Sequence, residues 1–290
     1  MDEKGRASGH LMLITPERVF YAGLLGRPRA RCSGAFHVYV AMRGGLRLST
    51  AEGREAHGEL LAIMPNVRHT VSSDHPSVIS VTVEPESVRP GSLNELTARL
   101  LGQERQLFIG RIRAAYEELR SRTCREDITS AAFDRMCFSE ALPRRIIDPR
   151  VARAIAQIVR FSGEPVTAAS CASEAGLSTS RFLHLFKEQT GISFRSFRAW
   201  KRARHLLHFA NQDLNLAHLA QDIGYPDSTH FSHSIRRFYG LKPRAIFLGS
   251  RDLAIYRSGR VEAVDSAGGR PVMTLEAMKA GHAPTARGEF

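Results

Sequence analysis

Residues 224–240, GYPDSTHFSHSIRRFYG, combine an apolar side and a hydrogen-bonding side within one short segment. On a helix with 100° between successive residues, Phe231, Ile235 and Phe238 fall within one narrow arc. The opposite arc carries polar and basic side chains, namely Thr229, His233, Arg236 and Arg237. The pattern predicts a helix that packs on one side and presents the other side to a partner.

Two residues mark the ends of this helix. Asp227 has the short, oxygen-bearing side chain that caps a helix N-terminus. Gly240 is the residue type that ends helices, because glycine adopts the left-handed backbone conformation without strain. The sequence therefore predicts a compact helix between these two residues.

The same layout occurs a second time. Residues 171–191, CASEAGLSTSRFLHLFKEQTG, align with residues 219–240 when one residue is added to the second turn. Each copy is a short helix, a turn with glycine and a second helix with an apolar stripe, which is the layout of a helix-turn-helix. Ser178 is the predicted N-cap of the second helix in the first copy. The matched pairs are Ala172 with Ala220, Gly176 with Gly224, Ser180 with Thr229, Phe182 with Phe231, His184 with His233, Phe186 with Ile235, Lys187 with Arg236 and Gly191 with Gly240.

A basic segment, residues 193–210, joins the two copies. As one continuous helix it would be about 27 Å long. With the bulk of the flanking units, the two outer helices would then lie about 34 Å apart, which is one turn of B-form DNA. This spacing predicts two units that enter successive major grooves.

The charge of the chain agrees with an anionic partner. The 290 residues include 41 Lys and Arg against 29 Asp and Glu, a net charge of +12. By our count, about 14 basic and 7 acidic residues fall within residues 148–247, so over half of the net charge lies in a third of the chain. Such clustering is the electrostatic pattern of a nucleic-acid-binding domain.

Composition argues against several other classes. A hydrophobic content of 43% predicts a globular chain, and the length favours two domains. The four cysteines, Cys32, Cys124, Cys137 and Cys171, lie far apart and predict neither a zinc site nor a disulfide framework. The apolar stretch 11–26 is interrupted by Pro16, Glu17 and Arg18, so neither a signal peptide nor a membrane span is expected.

The predicted secondary structure changes along the N-terminal half. Short β-rich runs bounded by Gly, Asn, Pro or Ser predict a small all-β unit over residues 36–83. Helical periodicity follows over residues 92–142, with IDPR (147–150) as a boundary. From about residue 250 the chain is rich in Gly, Ala and Pro, which predicts disorder.

The C-terminal residues resemble the AraC/XylS-type DNA-binding domain. The resemblance covers about 100 residues and is carried by STSRFLHLFKEQTG, WKRAR, LAQDIGYPDSTHFSHSIRRFYG and LKPRAIF. The chain departs from the family pattern at Ile235, where an aromatic residue is usual, and at Ala203 and Leu206 in the linker. These departures change packing volume without removing the fold.

The resemblance implies base-reading side chains near the starts of the two outer helices. They are Ser180, Leu183 and His184 in the first unit, and Ser228, Thr229, Ser232 and His233 in the second. Capping or solvated surface is the alternative role for the serines, and core packing is the alternative for Leu183. Phosphate contacts are expected from Lys187, Arg195, Arg198, Lys201, Arg202, Arg236 and Arg237. Because no Arg, Asn or Gln stands at a strong bidentate base-reading position, specificity would rest on hydroxyl, imidazole and methyl contacts plus DNA shape.

Together these features predict an α+β protein in three segments. The resemblance to the AraC/XylS type implies that residues 1–146 form a cupin-like β-barrel with following helices, acting as a sensor or dimerisation domain. Residues 147–250 would form an all-α domain with two helix-turn-helix units joined by a linker helix, and residues 251–290 a disordered tail. The turn IMPNVRHTV (63–71) resembles the Pro-then-His turn of such barrels.

The expected ligand of the barrel is a small organic effector in a dry pocket. His37, His57 and His69 show no HxH pair or suitably spaced Glu, so neither a metal nor another cofactor is expected. The helical stretch with Leu96, Leu100, Ile109, Ile112 and Tyr116 has two interpretations. In the first interpretation these residues form a homodimer contact, and in the second they cover the barrel.

The leading functional hypothesis is a sequence-specific transcription regulator, an activator, that is not an enzyme. Its expected partners are double-stranded promoter DNA, RNA polymerase, a small effector and a second copy of the chain, with no membrane involvement and a cytoplasmic location at the nucleoid. The alternatives are a cupin-type enzyme with a basic helical appendage and a DNA-bending architectural protein.

Overall fold

The computed structural model describes residues 9–121, 128–160 and 166–258. Its N-terminal part contains two β-sheets. The strands are β1 (Leu11–Ile14), β2 (Arg18–Leu24), β3 (Phe36–Ala41), β4 (Leu46–Thr50), β5 (Glu55–Gly58), β6 (Leu60–Ile63), β7 (His69–Ser73), β8 (Ser77–Val83) and β9 (Ala254–Arg257). The six-stranded sheet has the order β6-β3-β8-β2-β1-β9, and the three-stranded sheet has the order β5-β4-β7.

The β unit begins earlier than the sequence predicted. Residues 11–24 form the antiparallel pair β1–β2, with Leu11 opposite Ala22 and Ile14 opposite Val19. The hydroxyl of Thr15 accepts a hydrogen bond of 3.0 Å from the Arg18 backbone N–H and closes the turn between the strands. Pro16 and Glu17, which interrupt the apolar stretch, therefore belong to a hairpin turn.

Strand β3 separates two cores because its side chains alternate between the faces of the sheet. Tyr39 and Ala41 lie between the two sheets with Leu46, Leu61 and Val71. Phe36, Val38 and Val40 lie on the other face, under the helices α1 (Ser92–Leu101), α2 (Arg105–Ser121) and α3 (Ser130–Phe138).

The helical stretch after the strands covers one face of the six-stranded sheet. All five residues that had two interpretations are buried in the core beneath these helices: Leu96, Leu100, Ile109, Ile112 and Tyr116. The prediction that they form a homodimer contact is wrong, because the sheet face needs an apolar cover and these residues supply it.

The C-terminal part is helical up to residue 249. Its helices are α4 (Pro149–Arg160), α5 (Ala168–Glu174), α6 (Thr179–Thr190), α7 (Phe194–His205), α8 (Leu216–Asp222), α9 (Ser228–Tyr239) and α10 (Pro243–Gly249). The pairs α5–α6 and α8–α9 coincide with the two copies of the sequence repeat. We call them the first and the second helix-turn-helix unit.

The linker is shorter than the single helix predicted over residues 193–210. Helix α7 has 12 residues, and a 3₁₀ helix continues from Leu206 to Phe209. At 1.5 Å per residue α7 is about 18 Å long rather than about 27 Å. The 3₁₀ turn aligns Leu206 with Phe209, three residues on, and both side chains are buried in the second unit.

The last described residues join the N-terminal sheet. Strand β9 pairs in parallel with β1, with Leu11 opposite Ala254 and Ile14 opposite Arg257. The prediction of a disordered tail from residue 251 is therefore wrong for residues 251–258, because AIYR satisfies the open backbone edge of β1. The remainder of the predicted tail lies outside the described residues.

The two helix-turn-helix units differ in how they pack. The second unit shares one hydrophobic core with the N-terminal sheet, in which Met12, Ile14 and Val19 contact the cluster around Trp200 and Phe238. The first unit has a separate core, which includes Val151, Phe182, Phe186, Phe194 and Phe197. The second unit is thus part of the same packed body as the sheet.

Removing the cation of a buried ion pair should destabilise the fold. The Arg18 guanidinium donates two hydrogen bonds to Asp134, of 2.6 and 2.9 Å, and both side chains are 2% exposed. Arg18→Met would leave the Asp134 carboxylate buried without a counter-charge, and we expect the free energy of unfolding to fall by about 3–5 kcal/mol. Urea denaturation measures the change.

The matched control is Arg47→Met, which breaks the exposed pair between Arg47 and Asp74. Its expected effect is at most about 1 kcal/mol. Equal losses in the two variants would contradict the assigned role of the Arg18–Asp134 pair.

Candidate nucleic-acid interface

Helix α6 is held between two caps. The Ser178 hydroxyl accepts a hydrogen bond from the Arg181 backbone N–H, as predicted. Gly191 ends the helix with φ of 79°, and its N–H donates to the Lys187 carbonyl. On the buried side Phe186 meets Phe194 edge-on, with ring centroids 5.1 Å apart. The caps and the aromatic core fix which side of α6 faces outward.

Helix α9 repeats this construction. The Asp227 carboxylate accepts two hydrogen bonds of 2.8 Å, from the backbone N–H groups of Thr229 and His230. Gly240 ends the helix with φ of 71°. Both predicted caps are thus confirmed. A Cβ at residue 240 would also lie 2.9 Å from the carbonyl oxygen of Arg29, so no larger residue fits there.

The predicted base-reading residues lie on outward faces. Ser180, Leu183 and His184 are exposed on α6, and Ser228, Thr229 and His233 are exposed on α9, where Ser232 is half-buried. Leu183 is 38% exposed, so its alternative role in core packing is not supported. An exposed leucine on such a face offers an apolar contact for a thymine methyl group.

The predicted phosphate-binding residues fall into two groups. Lys187, Arg195, Arg236 and Arg237 are exposed and lie on or beside the outer helices. Two further cations are half-buried and cover aromatic rings: the Arg198 guanidinium lies 5.7 Å from the Phe194 centroid, and that of Arg202 lies 6.0 Å from the Tyr225 centroid. These two guanidinium groups are therefore less accessible than the cations of the first group.

Lys201 does not belong to this surface. Its side chain is 4% exposed, and its ammonium group lies 2.5 Å from a Glu84 oxygen and also contacts Glu86. The structure contradicts the prediction that Lys201 contacts a phosphate, because two carboxylates of the N-terminal domain already surround the ammonium group. Sequence reasoning counted the linker cations together and could not separate the outward ones from the inward ones.

Glu84 is the centre of this ion cluster. Its side chain is fully buried at the end of β8 and accepts a hydrogen bond of 2.9 Å from the Trp200 indole N–H. The Arg204 Nε atom lies 2.8 Å from the other carboxylate oxygen. A second Arg204 nitrogen donates to the Thr15 carbonyl over 2.6 Å. Helix α7 is therefore attached to the sheet by three of its side chains.

Opposing effects set the pKa values of the two buried carboxyls. Burial raises the pKa of Glu84. The charges of Lys201 and Arg204 and the hydrogen bonds from Lys201 and Trp200 together lower this pKa by more, so it lies below its usual value. Burial raises the pKa of Glu86, and the nearby Glu84 charge raises it too, against the lowering effect of Lys201. We therefore assign the negative charge of the cluster first to Glu84.

Next to the ion cluster, the backbone of the β2–β3 loop packs closely on helix α7. Gly34 packs directly on the indole of Trp200, and a Cβ at residue 34 would lie 2.6 Å from the indole Cγ. Nearby, the Cys32 N–H donates a hydrogen bond of 2.7 Å to the Arg237 carbonyl at the end of α9. The loop between β2 and β3 thus contacts both the linker and the second unit.

Neutral polar groups lie beside Tyr39, between the two sheets. Burial, together with the charges of His69 and Arg31, lowers the pKa of His37 to about 3. Burial also lowers the pKa of His69 and raises that of Tyr39, whose hydroxyl lies 3.2 Å from the His69 Nε2 atom. His57 lies apart from them, on β5. Within residues 9–121, 128–160 and 166–258, no cluster of three or more His, Cys, Asp or Glu side chains has the arrangement to hold a metal ion.

Comparison with known proteins identifies the C-terminal domain. Residues 171–247 match a family described as a helix-turn-helix domain. The chain is 32% identical over 111 residues to the HTH-type transcriptional activator RhaS of Escherichia fergusonii. That match covers 37% of this chain and 39% of RhaS, so the chain spans well under half of this curated relative. These findings confirm the predicted resemblance to AraC-type domains.

The whole fold is similar to a solved structure. ToxT from Vibrio cholerae O395 superimposes with a TM-score of 0.52 at 11% identity, covering 81% of this chain and 98% of ToxT. A second ToxT structure gives a TM-score of 0.50 at 12% identity, covering 81% of this chain and 99% of ToxT. The likeness confirms the α+β fold, with a strand-rich N-terminal part and a helical C-terminal part. Along the described part of the chain, no helix is long and apolar enough to cross a membrane.

Neutralising Glu84 should loosen the attachment of α7. Glu84→Gln would leave Lys201 and Arg204 buried without their main counter-charge, and we expect the free energy of unfolding to fall by about 3–5 kcal/mol. Chemical denaturation followed by Trp200 fluorescence measures the change at the cluster itself. Glu95→Gln, which breaks an exposed pair with Arg89, is the control and should cost at most about 1 kcal/mol.

The N-cap of α9 should depend on pH. Backbone and side-chain hydrogen bonds from His230 hold the Asp227 pKa below its usual value. The cap therefore stabilises the helix fully above the unfolded pKa of about 4, and this contribution is lost as the pH falls through the folded value. Amide hydrogen exchange at residues 229–231 should accelerate, relative to the α6 N-terminus, as the pH is lowered below about 4.

Asp227→Asn is the control, because it keeps the accepting oxygen but cannot titrate. Its exchange rates relative to those of α6 should not change over the same pH interval. The same relative acceleration in both proteins would contradict the assignment of the pH effect to Asp227.

Proposed function

We propose that this chain is a sequence-specific DNA-binding transcription regulator that activates transcription. The observation that carries the proposal is the pair of capped helix-turn-helix units whose outer helices, α6 and α9, keep their polar faces exposed. The excess of basic residues in the same part of the chain supports it. The description of RhaS as an activator supports the sign of regulation.

Within this proposal, two sets of side chains contact different parts of the DNA. Ser180, Leu183, His184, Ser228, Thr229, Ser232 and His233 contact base edges. Lys187, Arg195, Arg236 and Arg237 contact phosphates and set register and affinity, with Arg198 and Arg202 in partial roles. Lys201 is assigned to the Glu84 cluster instead. No catalytic residue is assigned.

The remaining partners follow from the domain order. The N-terminal domain would bind a small organic effector or a second copy of the chain, and DNA-bound protein would contact RNA polymerase at the nucleoid. For dimerisation, the exposed Leu101 and Leu107 near the α1–α2 junction are available, whereas the buried residues of α1 and α2 are not. Effector binding would act by changing how the two units are held relative to one another.

Promoter binding tests the proposal directly. In gel shifts on fragments from its own operon region, a regulator should retain tight binding to one fragment at physiological salt. Binding that depends only on charge would fade for all fragments alike as salt rises. Uniform loss of this kind would contradict the proposed regulator function.

Substitutions on the outer helices separate base reading from phosphate binding. We expect His184→Ala and His233→Ala each to weaken the specific complex about tenfold and to relax base preference, because each removes a base-edge contact. Arg237→Ala should weaken all sequences similarly and reduce the salt slope by about one. Affinity on a panel of single-base variants of the bound fragment measures both effects.

His218→Ala is the matched control, because His218 is exposed on α8 rather than on an outer helix. It should leave both affinity and base preference unchanged. If the footprint of His184→Ala and His233→Ala matched that of His218→Ala, the assignment of these two base-reading residues would be wrong even though the domain still bound DNA.

A further inference from the structure

The loop between β2 and β3 carries a concentration of positive charge. Residues 25–35, LGRPRARCSGA, contain three arginines and no acidic residue. Arg27 and Arg29 are exposed, whereas the Nε and Nη2 atoms of Arg31 are buried. The proposed base and phosphate contacts all come from the helical domain, and they leave the two exposed arginines of this loop unassigned.

The second half of the loop is packed on the end of helix α9. The Cys32 N–H donates its hydrogen bond of 2.7 Å to the carbonyl of Arg237, in the last turn of the helix. The Arg29 carbonyl oxygen lies so near Gly240 that a Cβ there would approach it to 2.9 Å. The backbone that carries Arg29 therefore lies directly against the C-terminal end of the outer helix.

The first half of the loop is held as well. A Cβ at Gly26 would lie 3.2 Å from the side chain of Leu241, the residue after the helix-ending glycine. The ring of Pro28 fixes its own φ and restricts the backbone of Arg27 before it. The loop therefore has limited conformational freedom, and ordering its arginines on a partner costs correspondingly little entropy.

The positive charges at this contact are not neutralised by acidic side chains. Among the described residues, no carboxylate oxygen lies within 4.0 Å of the guanidinium groups of Arg27, Arg29, Arg236 or Arg237. The negative end of the α9 dipole attracts cations, but Arg236 and Arg237 already lie in its last turn. Cations that are gathered in this way repel one another unless an anion lies among them.

The length of α9 places this end of the helix beside the DNA backbone. In a helix-turn-helix complex, the N-terminal residues of the recognition helix contact base edges in the major groove. Gly240 follows Thr229 by eleven residues, which is about 16 Å along a helix. Because the groove is about 12 Å wide, the C-terminal end of α9 lies at the groove edge, where the phosphates are.

We propose that the β2–β3 loop is part of the DNA interface and that Arg27 and Arg29 bind phosphates at the edge of the groove that α9 enters. The proposal rests on the proposed DNA-binding function. Such contacts carry no sequence information, but they fix register and orientation. The N-terminal domain thus binds the duplex together with the second unit, on which it is already packed.

The salt dependence of binding by the full-length chain tests the proposal. Arg27→Gln/Arg29→Gln should weaken binding to the preferred fragment and to unrelated DNA alike, by about tenfold at physiological salt. The slope of log affinity against log salt should fall by about two, because two phosphate contacts are lost. Base preference on the single-base panel should not change. Equal affinity and equal slope in the variant and the unmodified protein would overturn the proposal.

A second double variant controls for net charge. Arg43→Gln/Arg47→Gln removes the same charge from exposed residues in and after the β3–β4 turn, at the other end of β3. It should leave the salt slope unchanged, and equal losses in the two double variants would overturn the proposal. Arg27→Lys/Arg29→Lys keeps the charge and should keep the slope.

Thermal unfolding distinguishes DNA contacts from a structural role of the loop arginines. If these cations only complement the α9 dipole, the glutamine variant should show a lower Tm and an unchanged salt slope, and this result would overturn the proposal. With a role in DNA binding, Tm should stay close to that of the unmodified protein while the slope falls.

Ethylation interference locates the contact on the DNA. With the unmodified protein, ethylation of phosphates at one edge of the α9 half-site should block binding. The glutamine variant should lose the interference at one or two of these phosphates only, and an unchanged pattern would overturn the proposal. If the unmodified protein bound no DNA, the proposed function would fail as well. Normal DNA binding with unaffected loop variants would overturn the role of the loop alone.

Discussion

The buried carboxylate of Glu84 is the constraint on which the arrangement of the molecule depends. A carboxylate removed from water at this depth is costly unless cations and donors surround it. All of those groups come from one face of helix α7, as Trp200, Lys201 and Arg204. The linker between the two units therefore has one orientation against the end of β8, and the helices that follow it inherit that orientation.

Because of this constraint, the two helix-turn-helix units pack differently. The second unit continues from the fixed linker into a core that it shares with the sheet, where Trp200 meets Phe238 with ring centroids 5.4 Å apart. The first unit precedes the linker and has its own aromatic core. The second unit is therefore packed on the sheet and the first is packed within its own core, although the two are related by the sequence repeat.

Local signals predicted the helical units well. Cap residues such as Ser178 and Asp227, and glycines such as Gly191 and Gly240, act within a few residues of themselves, so their effect can be read without the rest of the chain. The exposed faces of α6 and α9 could be predicted from the spacing of apolar residues, because this spacing is also a local property of the sequence. The strand-rich half was predicted in class, but its first hairpin was missed because Pro16 and the charges of Glu17 and Arg18 looked like an interruption rather than a turn.

Features that depend on long-range contacts could not be predicted. Lys201 and Arg195 lie in the same basic segment, but Lys201 pairs after folding with Glu84 and Glu86, which lie more than a hundred residues away. The linker was predicted as one long helix because its composition favours a helix throughout, whereas packing of Leu206 and Phe209 tightens its last turn.

Strand β9 ties the two ends of the described chain together. Residues 254–257 follow the second unit in sequence, yet they pair with β1 and extend the N-terminal sheet. The two domains therefore cannot be separated at a single residue of the sequence. A fragment that starts at residue 147 would carry a strand without its neighbour, and a fragment that ends at residue 146 would expose the edge of β1.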